Sequence, residues 1–160
     1  MGLTASVVIP CYNEVGTLRA LHERIRAEFA KLEVDAEIIF VDDGSTDGSR
    51  DVLRALAAAD PACRVVVFRR NSGKAAALQT GFALAQGDYV LTMDADLQDD
   101  PAEIPRFLEA LQRADVVSGW KAKRHDPLGK TFPSKIFNAL VRKATGVPLH
   151  DMNCGWKGYR

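Results

Sequence analysis

Two aspartates separated by one small residue, Asp94-Ala95-Asp96, form the clearest chemical signal in this sequence. They end an apolar run that predicts a β-strand, and Gln98 supplies a neutral oxygen two residues further on. Oxygen ligands suit hard divalent cations such as Mg²⁺ and Mn²⁺, which keep several waters and also bind substrate phosphates. Two acids in a loop are usually just solvated, but their place at the end of an apolar strand favours a metal site formed by Asp94, Asp96 and Gln98.

More carboxylates follow two other predicted strands, in the segments Tyr12-Asn13-Glu14 and Asp42-Asp43-Gly44. In an open parallel sheet the carboxyl ends of the strands meet at one edge, where ligands bind. Carboxylates gathered there repel one another unless a cation or a hydrogen-bonding ligand compensates them. A carboxylate at Asp42 or Asp43 could accept hydrogen bonds from a nucleobase edge or a ribose.

Two other acids are better explained by backbone structure. The run Asp100-Pro101-Ala102-Glu103 has the composition of a helix start, with an N-cap carboxylate and proline at the first helical position. Asp47 is interpreted as a turn or cap residue before the next helix.

The segment Asn71-Ser72-Gly73-Lys74 opens an alanine-rich helical pattern. A helix N-terminus with glycine and lysine is a natural anion site, and Lys74 is therefore a candidate for binding a donor phosphate. The alternative is a simple N-cap by Ser72, and the sequence leaves the two open.

A basic segment spans residues 121–143, with seven lysines and arginines and the single acid Asp126. It contains one more amphipathic pattern, at residues 136–144. Such a segment is either a solvated face or a clamp for a diphosphate near an anionic membrane surface.

Apolar runs alternate with amphipathic helical patterns along the chain. Helices are predicted from apolar residues at steps of three and four: Leu18, Leu21, Ile25, Phe29 and Leu32; Val52, Leu53 and Leu56; and Ile104, Phe107, Leu108 and Leu111. Strands are predicted at 6–10, 37–41, 64–68, 88–93 and 115–119, with a last one at 155–159. Strands that are apolar throughout, separated by helices, predict an α/β fold with a mostly parallel sheet and helices on both faces.

Composition fits one soluble globular domain over residues 1–160. Hydrophobic residues make up 47% and charged residues 26%, which excludes a disordered tail, a collagen-like repeat and a small disulfide scaffold. Basic and acidic residues number 21 each, so no net charge argues for nucleic acid. The chain stops at Arg160, directly after the last predicted strand, and we expect it to be truncated at the C-terminus.

The three cysteines, Cys11, Cys63 and Cys154, are odd in number and widely spaced, which predicts reduced thiols in a cytosolic setting. No apolar run approaches the ~18 residues of a membrane span, and no signal peptide is evident.

Five motifs, in this order, resemble glycosyltransferase family 2: Val8-Ile9-Pro10-x-Tyr12-Asn13-Glu14, Val41-Asp42-Asp43-Gly44-Ser45-x-Asp47, Gly87-Asp88-Tyr89, Asp94-Ala95-Asp96-Leu97-Gln98 and Asp151-x-Asn153-Cys154-Gly155. The resemblance covers nearly the whole chain and is closest to the polyprenyl-phosphate (dolichyl-phosphate-type) mannosyl- and glucosyltransferases. It implies a GT-A nucleotide-sugar-binding fold, a UDP- or GDP-linked sugar donor, a divalent cation (Mg²⁺ or Mn²⁺) and inversion at the anomeric carbon.

The resemblance also implies roles for individual residues. Pro10, Tyr12 and Glu14 would line the nucleotide pocket, and Asp42 would hold the base. Asp94 would face the ribose or diphosphate, while Asp96 and Gln98 would bind the metal. Lys121 stands where the family often has an arginine for the donor phosphate. The family's acceptor-phosphate region corresponds to Lys130, Ser134 and Lys135.

Two departures from the family pattern concern the acceptor. The Gln-x-x-Arg-Trp motif of processive polysaccharide synthases is absent, and so are the C-terminal interfacial and membrane helices that many relatives carry. The expected acceptor is a polyprenyl phosphate, with the protein peripheral to the cytosolic face of the membrane.

The expected reaction is a single in-line displacement, in which the metal and basic side chains neutralise the leaving nucleoside diphosphate. An acceptor phosphate attacks without a protein base, whereas a sugar hydroxyl needs one, with Asp151 or Asp99 as the candidate. The alternatives are a family 2 transferase acting on a sugar hydroxyl, a nucleotide-binding domain without catalysis, and a receiver-like signalling domain. In the last, the acidic pair should follow the first strand, whereas here it follows the second.

Overall fold

The computed structural model describes residues 4–32, 34–119 and 154–160. The strands are β1 (Thr4–Cys11), β2 (Asp35–Asp42), β3 (Cys63–Val67), β4 (Tyr89–Thr92), β5 (Val116–Ser118) and β6 (Lys157–Tyr159). The helices are α1 (Leu18–Leu32), α2 (Ser49–Ala59), α3 (Lys74–Leu84) and α4 (Ile104–Leu111), the last preceded by a 3₁₀ turn at Pro101–Glu103. The predicted strands and helices within the described residues are all present, and the helical pattern at 136–144 lies outside them.

The strands form one sheet in the order β3-β2-β1-β4-β6-β5. The pairs β1–β2, β1–β4 and β2–β3 are parallel, whereas β6 runs antiparallel to both β4 and β5. Cys11 pairs with Asp42 and Val8 with Thr92, so β1, β2 and β4 end at the same edge of the sheet. The predicted α/β fold with a mostly parallel sheet is confirmed.

Alternating side chains of the strands face two apolar cores. Val7 and Ile9 point to the larger core with α1, α2 and α4, and Val8 points to a smaller core that contains Ala77 of α3. The larger core receives residues of α1 at helical spacing, Leu18, Leu21, Ile25 and Phe29. Burial of each such side chain is worth about 1.5–3 kcal/mol, which fixes these helices against the sheet.

Helix α3 lies close to β1 because Gly81 faces Val8, and a Cβ at position 81 would overlap with Val8 Cγ1. This close packing on the sheet sets the position of the first residue of the helix, Lys74, at the carboxyl edge.

No disulfide joins the three cysteines, and all three are buried, as predicted for reduced thiols. Within residues 4–32, 34–119 and 154–160, no helix combines the length and apolarity needed to cross a membrane.

Candidate functional site

A cavity of about 350 Å³ opens at the carboxyl edge of the sheet. Its walls come from the ends of three neighbouring strands and from the start of α3. The lining includes Pro10, Cys11, Tyr12 and Glu14 after β1, Asp43 after β2, Asn71, Gly73 and Lys74 at α3, and Asp94, Ala95 and Asp96 after β4. The structure therefore brings five predicted donor-site residues, Pro10, Tyr12, Glu14, Lys74 and Asp94, to one cavity.

Carboxylates dominate this cavity. Among the described lining residues, Glu14, Asp43, Asp94 and Asp96 are acidic and Lys74 alone is basic. Lys74 Nζ donates to Asp94 Oδ1 at 2.5 Å, with the two side chains 51% and 29% exposed. Four carboxylates around one ammonium group repel an anionic ligand unless a further cation accompanies it.

The loop after β4 holds Asp94 and Asp96 through its own backbone. The Asp94 N–H donates to Asp99 Oδ2 at 3.1 Å, and the Gln98 N–H donates to Asp96 Oδ1 at 3.0 Å. Leu97, between these contacts, has a φ of 62°, a left-handed conformation that is uncommon for a residue other than glycine. The turn leaves the Asp96 side chain exposed at the cavity.

The donor chemistry fits a cation that is bound together with a phosphate ligand. Within the described residues, no three Asp, Glu, His or Cys side chains cluster closely enough to form a metal cage. Mg²⁺ and Mn²⁺ do not need such a cage, since one or two carboxylates with waters and substrate phosphates suffice. Asp94 and Asp96 both line the cavity, whereas Gln98 lines a neighbouring one.

Asp42 and Asp43 differ in position although they are adjacent in sequence. Asp42 is fully buried, accepts the Ser45 N–H at 2.9 Å and pairs with Arg50 Nε at 3.4 Å. Asp43 reaches the cavity and accepts the N–H groups of Ser72 and Gly73 at 2.6 and 2.9 Å. Of the two acids, Asp43 is therefore the one that contacts the cavity, and base binding by Asp42 stays a prediction.

The start of α3 decides whether Ser72 is the N-cap, one of the two alternatives that the sequence left open. Gly73, not Ser72, is the cap residue, with a φ of 91° and no side-chain cap hydrogen bond. Asp43 takes the place of a local cap by binding the N–H groups just before the helix. The alternative of an N-cap by Ser72, which the sequence left open, is therefore not observed: the carboxylate comes from a different loop, which spacing within the segment does not reveal.

Gly44, which follows β2, lets the loop before α3 pack closely against it. Its φ is 78°, and a Cβ there would come within 2.6 Å of the Arg70 carbonyl carbon. Only glycine allows the two backbones to approach so closely.

Polar residues of the motifs also join the loops after β1 and β2. Ser45 Oγ accepts the Asn13 N–H at 2.9 Å, and Ser49 Oγ accepts the Glu14 N–H at 2.9 Å. Asp47 accepts the Val15 N–H and the Ser49 N–H and hydroxyl, and the Ser49 hydroxyl is the main reason that the pKa of Asp47 is lowered. The predicted turn role of Asp47 is confirmed.

The predicted cap role of Asp100 is also confirmed. Its Oδ1 accepts the Ala102 N–H at 3.0 Å and pairs with Arg24 at 2.7 Å.

Cys11 is a cavity residue that sequence reasoning did not select. Burial and the nearby Asp42 raise its pKa to about 12, so the thiol stays protonated and unreactive near neutral pH. Its wall position follows from its place at the end of β1, and its only sequence signal was adjacency to Pro10 and Tyr12.

Several predicted site residues lie outside the described part of the chain. They are Lys121 for the donor, Lys130, Ser134 and Lys135 for the acceptor, and Asp151 as the candidate base.

Comparison with known proteins identifies close relatives. Over 97% of its length, the chain is 45% identical to undecaprenyl-phosphate 4-deoxy-4-formamido-L-arabinose transferases from Aeromonas hydrophila and Pseudomonas aeruginosa. It spans 48% and 46% of those two proteins, or about half their length.

Solved structures share the fold. Glucosyl-3-phosphoglycerate synthase from Mycobacterium tuberculosis, in a crystal structure with Mn²⁺, UDP-glucose and phosphoglyceric acid, is 27% identical with a TM-score of 0.75. The match covers 99% of this chain and 57% of that one. A mannosyltransferase from Pyrobaculum calidifontis, crystallised with GDP-mannose and Mn²⁺, has a TM-score of 0.68 at 24% identity, covering 97% of this chain and 44% of that one.

The family assignment rests on nearly the whole chain. The model of "Glycosyl transferase family 2" matches residues 6–160, which include all five motifs and every described wall of the cavity. This chain belongs to glycosyl transferase family 2.

Proposed function

We propose that this chain forms the nucleotide-sugar-binding domain, residues 1–160, of an inverting, metal-dependent glycosyltransferase. The donor is a UDP- or GDP-linked sugar, and the acceptor is a polyprenyl phosphate at the cytosolic face of a membrane. The observation that carries the proposal is the acidic cavity at the carboxyl edge of the sheet, with Asp94, Asp96 and Lys74 in its wall.

Asp96 and Asp94 are the residues of the described chain that would hold the divalent cation. Asp96 is exposed at the cavity, and its Oδ1 accepts the Gln98 N–H. This hydrogen bond orients the carboxylate while leaving it open to a ligand. When bound, Mg²⁺ or Mn²⁺ supplies positive charge against the leaving diphosphate. Gln98 is proposed as a third metal ligand, although it lines the neighbouring cavity.

The other cavity residues suit a nucleoside diphosphate. Tyr12 is 45% exposed at the cavity and offers an aromatic face to a base, beside Pro10 and Glu14. Lys74 offers the ammonium group for a phosphate. Lys121 is proposed to add a second positive charge.

The relatives at 45% identity support a lipid phosphate as acceptor, since their name states undecaprenyl phosphate. A phosphate is largely ionised near neutral pH, its second pKa being ~6, so it needs no protein base to attack the anomeric carbon. Lys130, Ser134 and Lys135 are the proposed acceptor-phosphate residues. The identity of the transferred sugar is left open, because the relatives are named for a modified arabinose and the M. tuberculosis enzyme for a glucosyl product.

A soluble acceptor is the second candidate, favoured by the phosphoglyceric acid in the M. tuberculosis complex. An acceptor that reacts through a hydroxyl group, on a sugar or on another soluble molecule, would need a base, and Asp151 is the proposed one. Asp99 is less suited to that task, because it is 3% exposed and one of its oxygens accepts the Asp94 N–H.

Two assays on the same protein test the proposal: calorimetry tests the donor and the metal, and sugar transfer tests the acceptor. Calorimetry should show Mn²⁺-dependent binding of UDP or GDP that Asp96→Asn weakens about tenfold or more, since the variant removes one charged metal ligand. Asp51→Asn is the matched control, because Asp51 lies on α2, 83% exposed and paired with Arg54. Radiolabelled sugar should then transfer to undecaprenyl phosphate in anionic vesicles and not to phosphoglyceric acid.

Four outcomes would count against the proposal. The metal assignment would be wrong if the nucleotide affinity were the same with and without Mn²⁺. It would also be wrong if Asp96→Asn bound nucleotide in the presence of Mn²⁺ as tightly as the unmodified chain. Transfer to phosphoglyceric acid alone would replace the lipid acceptor by a soluble one. Nucleotide binding without transfer to either acceptor, in the full-length protein, would favour a non-catalytic binding domain.

A further inference from the structure

Lys74 holds an unusual position among the charged residues of the cavity. It is the only basic residue in the described wall, and its ammonium group pairs with Asp94, one of the two proposed metal ligands. Resting on the proposed function, this contact implies competition, because Lys74 and a divalent cation would both bind the Asp94 carboxylate.

We infer that Lys74 exchanges partners during donor binding: it leaves Asp94 when the divalent cation arrives and pairs with the diphosphate that the cation accompanies. Lys74 then couples the two binding events. It opposes binding of the metal alone and favours binding of metal and nucleoside diphosphate together.

The geometry permits this exchange without movement of the helix. The Lys74 side chain is 51% exposed and has a flexible four-carbon stem, so its ammonium group can turn within the open cavity. The backbone just before it is held by Asp43, which accepts the Gly73 N–H at 2.9 Å. The partner change is therefore confined to one side chain on a fixed helix start.

Charge explains the direction of the coupling. A divalent cation on Asp94 repels the adjacent ammonium group, and the ion pair between Lys74 and Asp94 is lost. The cation alone offers Lys74 no replacement partner, whereas a diphosphate offers several anionic oxygens. Nucleotide and metal therefore raise each other's affinity by the same factor, as linkage requires.

The test uses Lys74→Gln, which removes the charge and keeps a long polar side chain. Calorimetry with MnCl₂ alone should show metal binding about two- to fivefold tighter than in the unmodified chain, the range for loss of a partly exposed ion pair. UDP or GDP binding in the presence of Mn²⁺ should instead fall about tenfold, because a charge-assisted contact to phosphate is lost. The opposite signs of the two changes are the signature of the exchange.

Two further variants control for charge and fold. Lys31→Gln removes a comparable exposed lysine that pairs with Glu28 on α1, and it should change neither affinity. Lys74→Arg keeps the positive charge and should keep the weak binding of metal alone. The melting temperatures of Lys74→Gln, Lys74→Arg and Lys31→Gln should all match that of the unmodified chain.

The inference is overturned if Lys74→Gln leaves the affinity for Mn²⁺ alone unchanged or lowers it. It is also overturned if Lys74→Gln and Lys74→Arg both weaken metal and nucleotide binding equally. Failure of the proposed function gives a different result, since the unmodified chain would then bind no nucleotide in a Mn²⁺-dependent way.

Discussion

Gly155→Ala should impair donor binding while leaving the fold almost unchanged. A Cβ at this position would lie 2.5 Å from Asp94 Oδ2 and 2.8 Å from its Cγ, whereas ordinary contact begins at 3.4 Å. The Asp94 carboxylate must therefore shift by about 0.9 Å. A displacement near 1 Å at a reacting centre can cost about 100-fold in rate, and for binding we expect a loss of about tenfold.

The free energy of unfolding should change by less than about 1 kcal/mol. The group that moves is the end of a side chain, and replacing glycine by alanine at a compatible backbone position restricts the unfolded chain by a similar amount. The assay is calorimetric titration with UDP or GDP at saturating Mn²⁺, together with thermal unfolding.

Gly16→Ala is the matched control for this variant, because no atom outside its chain neighbours lies within 4 Å of a Cβ there. It should bind donor as the unmodified chain does. The reasoning is refuted if Gly155→Ala binds nucleotide and Mn²⁺ normally, since Asp94 would then have no required position in the site.

Two further predictions concern stability. Glu37→Gln should destabilise the fold by about 1 kcal/mol at pH 7. Burial raises the pKa of Glu37, but hydrogen bonds from Ser6, the Gln86 N–H and Arg64 outweigh it and place the pKa below the ordinary 4.5. That stabilisation is present above about pH 4.5 and is lost as the pH falls through the lowered pKa, so the two proteins should converge in chemical unfolding once the pH is below that pKa; a constant difference would contradict the assignment. Gly81→Ala should lower the melting temperature by about 2–4 °C, because overpacking against β1 outweighs the gain in helix propensity; an increase would show that α3 can move away freely.

The larger elements of the fold were predictable because their signals are local. The spacing of Leu18, Leu21, Ile25 and Phe29 requires a helix that buries one face, and the structure places all four in the core. The continuous apolar runs of β1 and β2 likewise require a sheet covered on both faces. A last strand was predicted, but its direction was not. In the sheet, β6 lies between β4 and β5 and is antiparallel to both, and a strand of three residues carries no sequence signal for its direction.

At the site, the sequence by itself determined which chemistry is present, namely carboxylates after three strands and a lysine at a helix start. Only the tertiary structure decided which of these residues contact the cavity and which partners they bind. Asp42 and Asp43 are equivalent as sequence and both are buried, but the first pairs with Ser45 and Arg50, whereas the second binds backbone N–H groups at the start of α3. The pairing of Lys74 with Asp94 joins residues 20 positions apart. Such contacts depend on how parallel strands and α3 pack, and no pattern within one segment records that packing.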